Sequence, residues 1–140
     1  MENKIHFKYE VDGEDFTRAG EASSDIKSKL KLMQIQPDIV RRVAIAMYEG
    51  EINMIIHANG GVIDVDVYPE KLTMILKDSG PGIKNIEQAM EEGYSTAPDE
   101  IVSLGFGAGM GLPNMKRASD EMDVSSTVGV GTTVTMTINF

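Results

Sequence analysis

The chain has no cysteine among its 140 residues. That absence excludes disulfides, thiolate metal sites and a cysteine nucleophile. Histidine occurs only at His6 and His57, too few for a cage built from imidazole alone. Basic side chains are scarce: 13 Lys and Arg stand against 22 Asp and Glu, a formal net charge of −9. With no basic footprint to displace counterions, duplex nucleic acid is excluded as a partner, and so is a polybasic membrane contact. Long apolar runs are missing too. The longest, Val43 to Tyr48, falls far short of the roughly 18 residues that cross a bilayer. The first ten residues, MENKIHFKYE, carry no apolar h-region. No secretory signal is visible, and the expected location is cytoplasmic.

What is present reads as an ordinary globular chain. At 140 residues the expectation is one domain, 1–140, large enough to bury a core without staples. No internal repeat, low-complexity tract or linker-like boundary interrupts it. Ile5, Phe7, Tyr9 and Val11 alternate with His6, Lys8 and Glu10, which predicts a half-buried strand ending at Asp12-Gly13. Phe16-Thr17 can extend a partner strand. A helix is predicted from about Ala22 to Met33, with Ile26, Leu30 and Met33 on one stripe and Ser23, Ser24 and Asp25 offering N-cap oxygens. Pro37 opens a longer helix that reaches about Ala58 and stops at Asn59-Gly60-Gly61. Strands follow at Val62–Tyr68 and Leu72–Lys77, then a short helical piece near Ile86–Glu91 and a helix from Pro113 to about Asp120. Two closing strands flank Val128-Gly129-Val130-Gly131. This order predicts an α+β fold with helices layered on one face of a mostly antiparallel, mixed sheet.

Three stretches carry candidate chemistry. On the second helix Glu49, Asn53 and His57 recur every four residues, so they fall within about 80° of one another. A carboxylate and an amide one turn apart can hold a hard cation beside a water or hydroxyl. The same spacing also fits a solvated polar stripe. Val40, Val43, Ala44, Met47 and Met54 lie on the opposite face, suited to packing on a sheet. Glu51 sits in the middle of that apolar face, about 160° from Glu49, with no role assigned by the pattern.

The second stretch is Asp78-Ser79-Gly80-Pro81-Gly82, after a strand. An acid there can accept from an exocyclic amine while Gly80 and Gly82 let the backbone approach a flat ring. An Asp-initiated turn is the plain alternative. The third is Gly105-Phe106-Gly107-Ala108-Gly109-Met110-Gly111-Leu112-Pro113. Alternating glycines form backbone nests, and the helix behind them aims its positive end at the loop. No Gly-Lys-Ser/Thr follows and no strand leads in, so it is neither a P-loop nor a dinucleotide fingerprint. A linker would look similar, but Leu104, Phe106, Met110 and Leu112 interleave with the glycines. The ten methionines read either as core filling or as marks of an interface.

Taken together, the three stretches resemble the GHKL ATP-binding fold of gyrase, heat-shock chaperone, histidine-kinase and mismatch-repair ATPases. Glu49 through Ala58 resembles the N box, Asp78 through Gly82 the first glycine box, Gly105 through Gly111 the second, and Gly131-Thr132-Thr133 the terminal Gly-Thr element. The likeness covers about residues 37–140. Glu92-Gly93-Tyr94-Ser95-Thr96 and Gly111-Leu112-Pro113 with Lys116-Arg117 look like the anti-sigma-factor and stress-switch serine/threonine kinases within it. The resemblance implies a Bergerat-type two-layer sandwich with a lid at about 93–111. It implies that Asp78 binds the adenine amine with Thr132 assisting through a water, that Gly80 and Gly82 admit the base, and that Asn53 holds Mg2+ on the triphosphate. His57 belongs to the same stripe. Gly105, Gly107, Gly109 and Gly111 would wrap the phosphates, and Glu49 would orient or deprotonate the attacking hydroxyl. Arg18 resembles an arginine near the triphosphate in some relatives.

A histidine kinase needs an acceptor histidine on a dimerisation helix, and a gyrase-like or chaperone-like machine needs further domains. Neither is expected in this chain. The function implied is therefore a stand-alone serine/threonine kinase using ATP and Mg2+. Its partner would be a regulatory protein, either an anti-anti-sigma-like substrate or a sigma factor. The alternative is an ATP-gated protein-binding switch without kinase activity. A homodimer is compatible with either.

Overall fold

Segments of alternating polarity pair into one sheet, and segments with a helical apolar stripe pack on it. The structure, a computed structural model, describes residues 3–13, 18–83, 85–90 and 111–140. In chain order these form β1 (Ile5–Asp12), α1 (Glu21–Leu32), α2 (Pro37–Ala58), β2 (Gly60–Val67), β3 (Lys71–Lys77), the short α3 (Ile86–Ala89), α4 (Gly111–Ala118), β4 (Glu121–Thr127) and β5 (Gly131–Asn139). The strands lie in the order β1-β2-β3-β5-β4. Among the described residues every pairing is antiparallel, so the expected mixed sheet resolves into an antiparallel one. The segment around Phe16-Thr17 lies outside the described residues.

One face of the sheet is the core. Ile63 and Val65, Leu72 and Met74, and Met136 and Ile138 point to it from neighbouring strands and are fully buried. They meet Ile26 and Leu30 of α1, Val43 and Met47 of α2 and Met115 of α4. Each such side chain contributes about 1.5–3 kcal/mol relative to exposure. Met47, Met54, Met74, Met115 and Met136 are core filling, the plainer of the two readings for these five. The opposite face is polar, with the His6 ring 3.2 Å from Asp64 and 2.7 Å from Asp66 across β1 and β2.

Helix α2 is the central element of the helical layer: α1 and α4 pack on its flanks while it rests on β1, β2 and β5. Its bounds agree with the sequence pattern, Pro37 in the first turn and Asn59 as a left-handed C-cap at φ 59°. The pattern places the start of α1 within one residue but not its cap. That helix begins at Glu21 behind Gly20, and no side chain caps it locally. Glu51 does so from across the interface. One carboxylate oxygen accepts from the N–H groups of Gly20 (3.1 Å) and Ala22 (3.3 Å), and the other from Ser23 (2.7 Å). This gives Glu51 its role. The second and third N–H groups of a helix want an acceptor that Gly20 lacks, and a buried carboxylate wants donors. Asp25, predicted as a cap, instead accepts from Tyr9 at 2.6 Å and pairs with Lys29, tying α1 to β1.

Replacing Glu51 with alanine leaves these N–H groups without an acceptor. The expected cost is about 2–4 kcal/mol, measured by urea unfolding, with Glu51→Gln losing less because it keeps one acceptor oxygen.

Candidate functional site

The polar stripe of α2 runs between two features that the fold brings to it. At its near end, Glu49 and Asn53 face the start of α4. A Cβ built on Gly111 would lie 3.3 Å from Asn53 Oδ1 and 3.8 Å from Glu49 Oε2, so both side-chain oxygens border one small space. Asn114, in the first turns of α4, donates from Nδ2 to Glu49 Oε1 at 3.3 Å. At the far end of α2, His57, Ala58 and Asn59 line a surface cleft with Ser79, Gly80 and Pro81. His57, Asn53 and Glu49 are all half-buried.

Asp78 ends β3 and is held against β5. Its N–H donates to the Thr132 carbonyl at 3.0 Å, and its Oδ1 accepts from Gly80 N–H at 2.9 Å and from Thr132 N–H at 3.2 Å. Both side-chain bonds go to Oδ1. Among the described residues Oδ2 accepts none, which leaves one carboxylate oxygen for an exocyclic amine. The loop then passes close to α2. A Cβ on Gly80 would sit 2.6 Å from Ala58 Cβ and 2.7 Å from Ala58 Cα, so only glycine fits. Gly82 takes φ +81° against the Thr127 carbonyl, a conformation that other residues rarely adopt.

The structure therefore brings Glu49, Asn53 and Gly111 together at one end of the stripe, and His57, Asp78, Gly80 and Thr132 together at the other. Gly105, Gly107 and Gly109, and almost all of the lid at about 93–111, lie outside the described residues. Arg18 pairs with Glu21 at 3.2 Å and with Asp12 at 3.8 Å. The oxygen pair of Glu49 and Asn53 suits a hard divalent cation that keeps water and phosphate as its other ligands. No group of three or more acidic or histidine side chains competes for that role among the described residues.

Sequence reasoning missed Ser126. Its hydroxyl accepts from Ile83 N–H at 2.7 Å and meets Thr132 Oγ1 at 2.8 Å, so it joins the Asp78–Gly82 loop to the start of β5. The signal was available in principle, since Ser126 and Thr132 face each other across the β4–β5 turn. Asn114 was missed as well, because its partner Glu49 is 65 residues away in sequence.

Comparison with known proteins gives the family. Residues 14–138 match the family model described as the histidine kinase-like ATPase domain, and the chain belongs to that family. It is 34% identical over 97 residues to the serine/threonine-protein kinase RsbT of Bacillus subtilis, covering 66% of this chain and 67% of that protein. It is 34% identical over 147 residues to an anti-sigma F factor of Clostridium acetobutylicum, covering 100% of this chain and 96% of that one. Among solved structures it resembles that of the RsbU and RsbW domains of a Mycobacterium tuberculosis protein. The TM-score is 0.64 at 13% identity, over 96% of this chain and 32% of the other. That likeness is one of fold. Among the described residues no helix is long and apolar enough to cross a membrane.

His57 supplies a pH test of the site. Burial pulls its pKa below the usual 6.5, and the nearby Asp78 charge offsets only part of this. The folded protein prefers neutral His57, whereas the unfolded chain binds the proton more readily. The resulting stability is fully present above about pH 6.5 and is lost as pH falls through the lower folded value. Thermal unfolding between pH 7.5 and 5.0 should show this loss, and His57→Gln should flatten the profile.

Proposed function

We propose that this chain binds Mg·ATP along the α2 stripe and transfers the γ-phosphoryl group to a serine or threonine of a partner regulatory protein. The observation that carries the reading is the position of Glu49. Its carboxylate borders the same space as the Asn53 carboxamide, at the start of a helix that directly follows the glycine-rich 105–111 segment. A base, a cation ligand and a helix N-terminus thus converge at one end of the stripe. The opposite end offers Asp78 Oδ2 to the adenine amine. Phosphoryl transfer needs mainly such positioning and charge stabilisation.

In this reading Asp78 and Thr132 select the base, and Gly80 and Gly82 leave room for its ring. The backbone N–H groups from Gly105 to Gly111 would surround the phosphates. Asn53 would hold the cation, which would neutralise charge on the phosphate oxygens. Glu49 takes the proton of the attacking hydroxyl as its oxygen bonds to the γ-phosphorus and ADP departs with the bridging oxygen. The names of the relatives support a partner in sigma-factor control, either a regulator of a sigma factor or the sigma factor itself. Both the fold and the relatives support residues 1–140 as a single ATP-binding unit.

The test uses purified protein, Mg2+ and γ-labelled ATP with candidate partner proteins. Asp78→Asn is expected to weaken ATP binding by about 10–100-fold in calorimetry. Glu49→Gln is expected to bind ATP normally but to slow transfer to the partner by about 10²–10⁴-fold. Nucleotide binding without any transfer by the wild-type protein, and a partner complex that forms only with ATP, would instead indicate a gated switch.

A further inference from the structure

The two ends of α4 are fastened to α2 by separate bonds. At the C-terminal end Arg42 donates to the Ala118 carbonyl and to Asp120, both at 3.0 Å. At the N-terminal end Asn114 Nδ2 donates to Glu49 Oε1 at 3.3 Å, and Arg117, three residues further along, donates to Asn114 Oδ1. The first fastening touches none of the candidate site residues. The second ends on the carboxylate assigned above as the base.

We propose that Asn114 is a positioning residue for Glu49, and that Arg117 sets the orientation in which Asn114 can act. This deepens the kinase reading and rests on it. The chemistry of the three groups carries the inference. A carboxylate only accepts hydrogen bonds and a guanidinium only donates them, whereas an amide can do either from its two ends. Between Arg117 and Glu49 the amide has one orientation that satisfies both neighbours: oxygen toward arginine, nitrogen toward glutamate. Arg117 thereby prevents the flip that would turn the amide oxygen against the carboxylate.

The consequence lies in how the two oxygens of Glu49 are divided. Oε1 is engaged by the amide, while Oε2 borders the space it shares with Asn53 Oδ1 near Gly111. Without the amide donor the carboxylate rotates more freely about its last torsion and the two oxygens become interchangeable. A base misplaced by about 1 Å can lose on the order of 10²-fold in rate. During transfer the hydroxyl proton goes to Glu49 Oε2, the hydroxyl oxygen bonds to the γ-phosphorus, and the bond from that phosphorus to the β–γ bridging oxygen breaks. Asn114 and Arg117 neither gain nor lose a proton.

The test uses the full chain and two readouts. The first needs no nucleotide: the Asn114 side-chain amide resonances are followed by NMR in wild type, Glu49→Gln and Arg117→Met. They are expected to move in both variants, and amide resonances unmoved by Glu49→Gln would overturn the proposal. The second is phosphate release from saturating Mg·ATP without partner, in which water takes the place of the partner hydroxyl and gives its proton to Glu49. Asn114→Leu, of similar volume without the donor, is expected to lower kcat by about tenfold with KM for ATP unchanged. Arg42→Gln loosens only the other end of α4 and is expected to lower the unfolding temperature at wild-type kcat. A wild-type kcat in Asn114→Leu, or an equal fall in Arg42→Gln, would overturn the positioning role while leaving Glu49 as the base. A wild-type kcat in Glu49→Gln would overturn the kinase reading itself, and this proposal with it.

Discussion

Helix α2 has to satisfy three sets of neighbours at once, and every functional feature of the fold depends on its doing so. At 100° per residue, its 22 residues divide into an apolar face on the sheet, a flank on α1 and a flank on α4. Gly50 lets the helix sit close to the sheet, since a Cβ there would meet Leu76 Cδ2 at 2.0 Å. Glu51 reaches α1, while Glu49, two residues earlier, reaches α4. A rotation of α2 by one residue would break the apolar packing, the cap on α1 and the alignment of the polar stripe together. The angular position of the site is thus held by the core itself.

The carboxylates of the candidate site share one economy of hydrogen bonds. Asp78 engages Oδ1 with two backbone N–H groups and keeps Oδ2 clear of described partners. Glu49 engages Oε1 with an amide while Oε2 borders the space near Gly111. In each case half of the functional group is used to fix its orientation and half is left for chemistry. Glu51, by contrast, has both oxygens engaged by backbone N–H groups and serves structure alone. Three acidic side chains, similar in sequence, are separated in role by the donors around them. The chain is acidic overall, at −9, yet under the proposed function the phosphates of a nucleotide would meet helix N–H groups and a cation rather than those carboxylates directly.

The elements were legible because their signals are local. Strand alternation in β1 to β5, Pro37 and Asn59 at the ends of α2, and the four-residue recurrence of Glu49, Asn53 and His57 all arise from steric and periodic rules within a few residues. The meeting of the N-box stripe with the Asp78 loop was readable only through resemblance, since no local rule joins positions 57 and 78. What escaped were bonds between distant residues. The sequence offered Ser23, Ser24 and Asp25 as caps, yet the cap of α1 is Glu51.

By itself, then, the sequence determined which segments form helices and strands and which residue types face the candidate site, because backbone sterics and side-chain periodicity act at short range. Only the tertiary structure decided which donor meets which acceptor. Glu51 with α1, Asn114 with Glu49 and Ser126 with the Ile83 N–H become partners only once the helices are seated on the sheet. Hydrogen bonds are directional and effective over about 3 Å, so their pairing is set by packing, not by order along the chain.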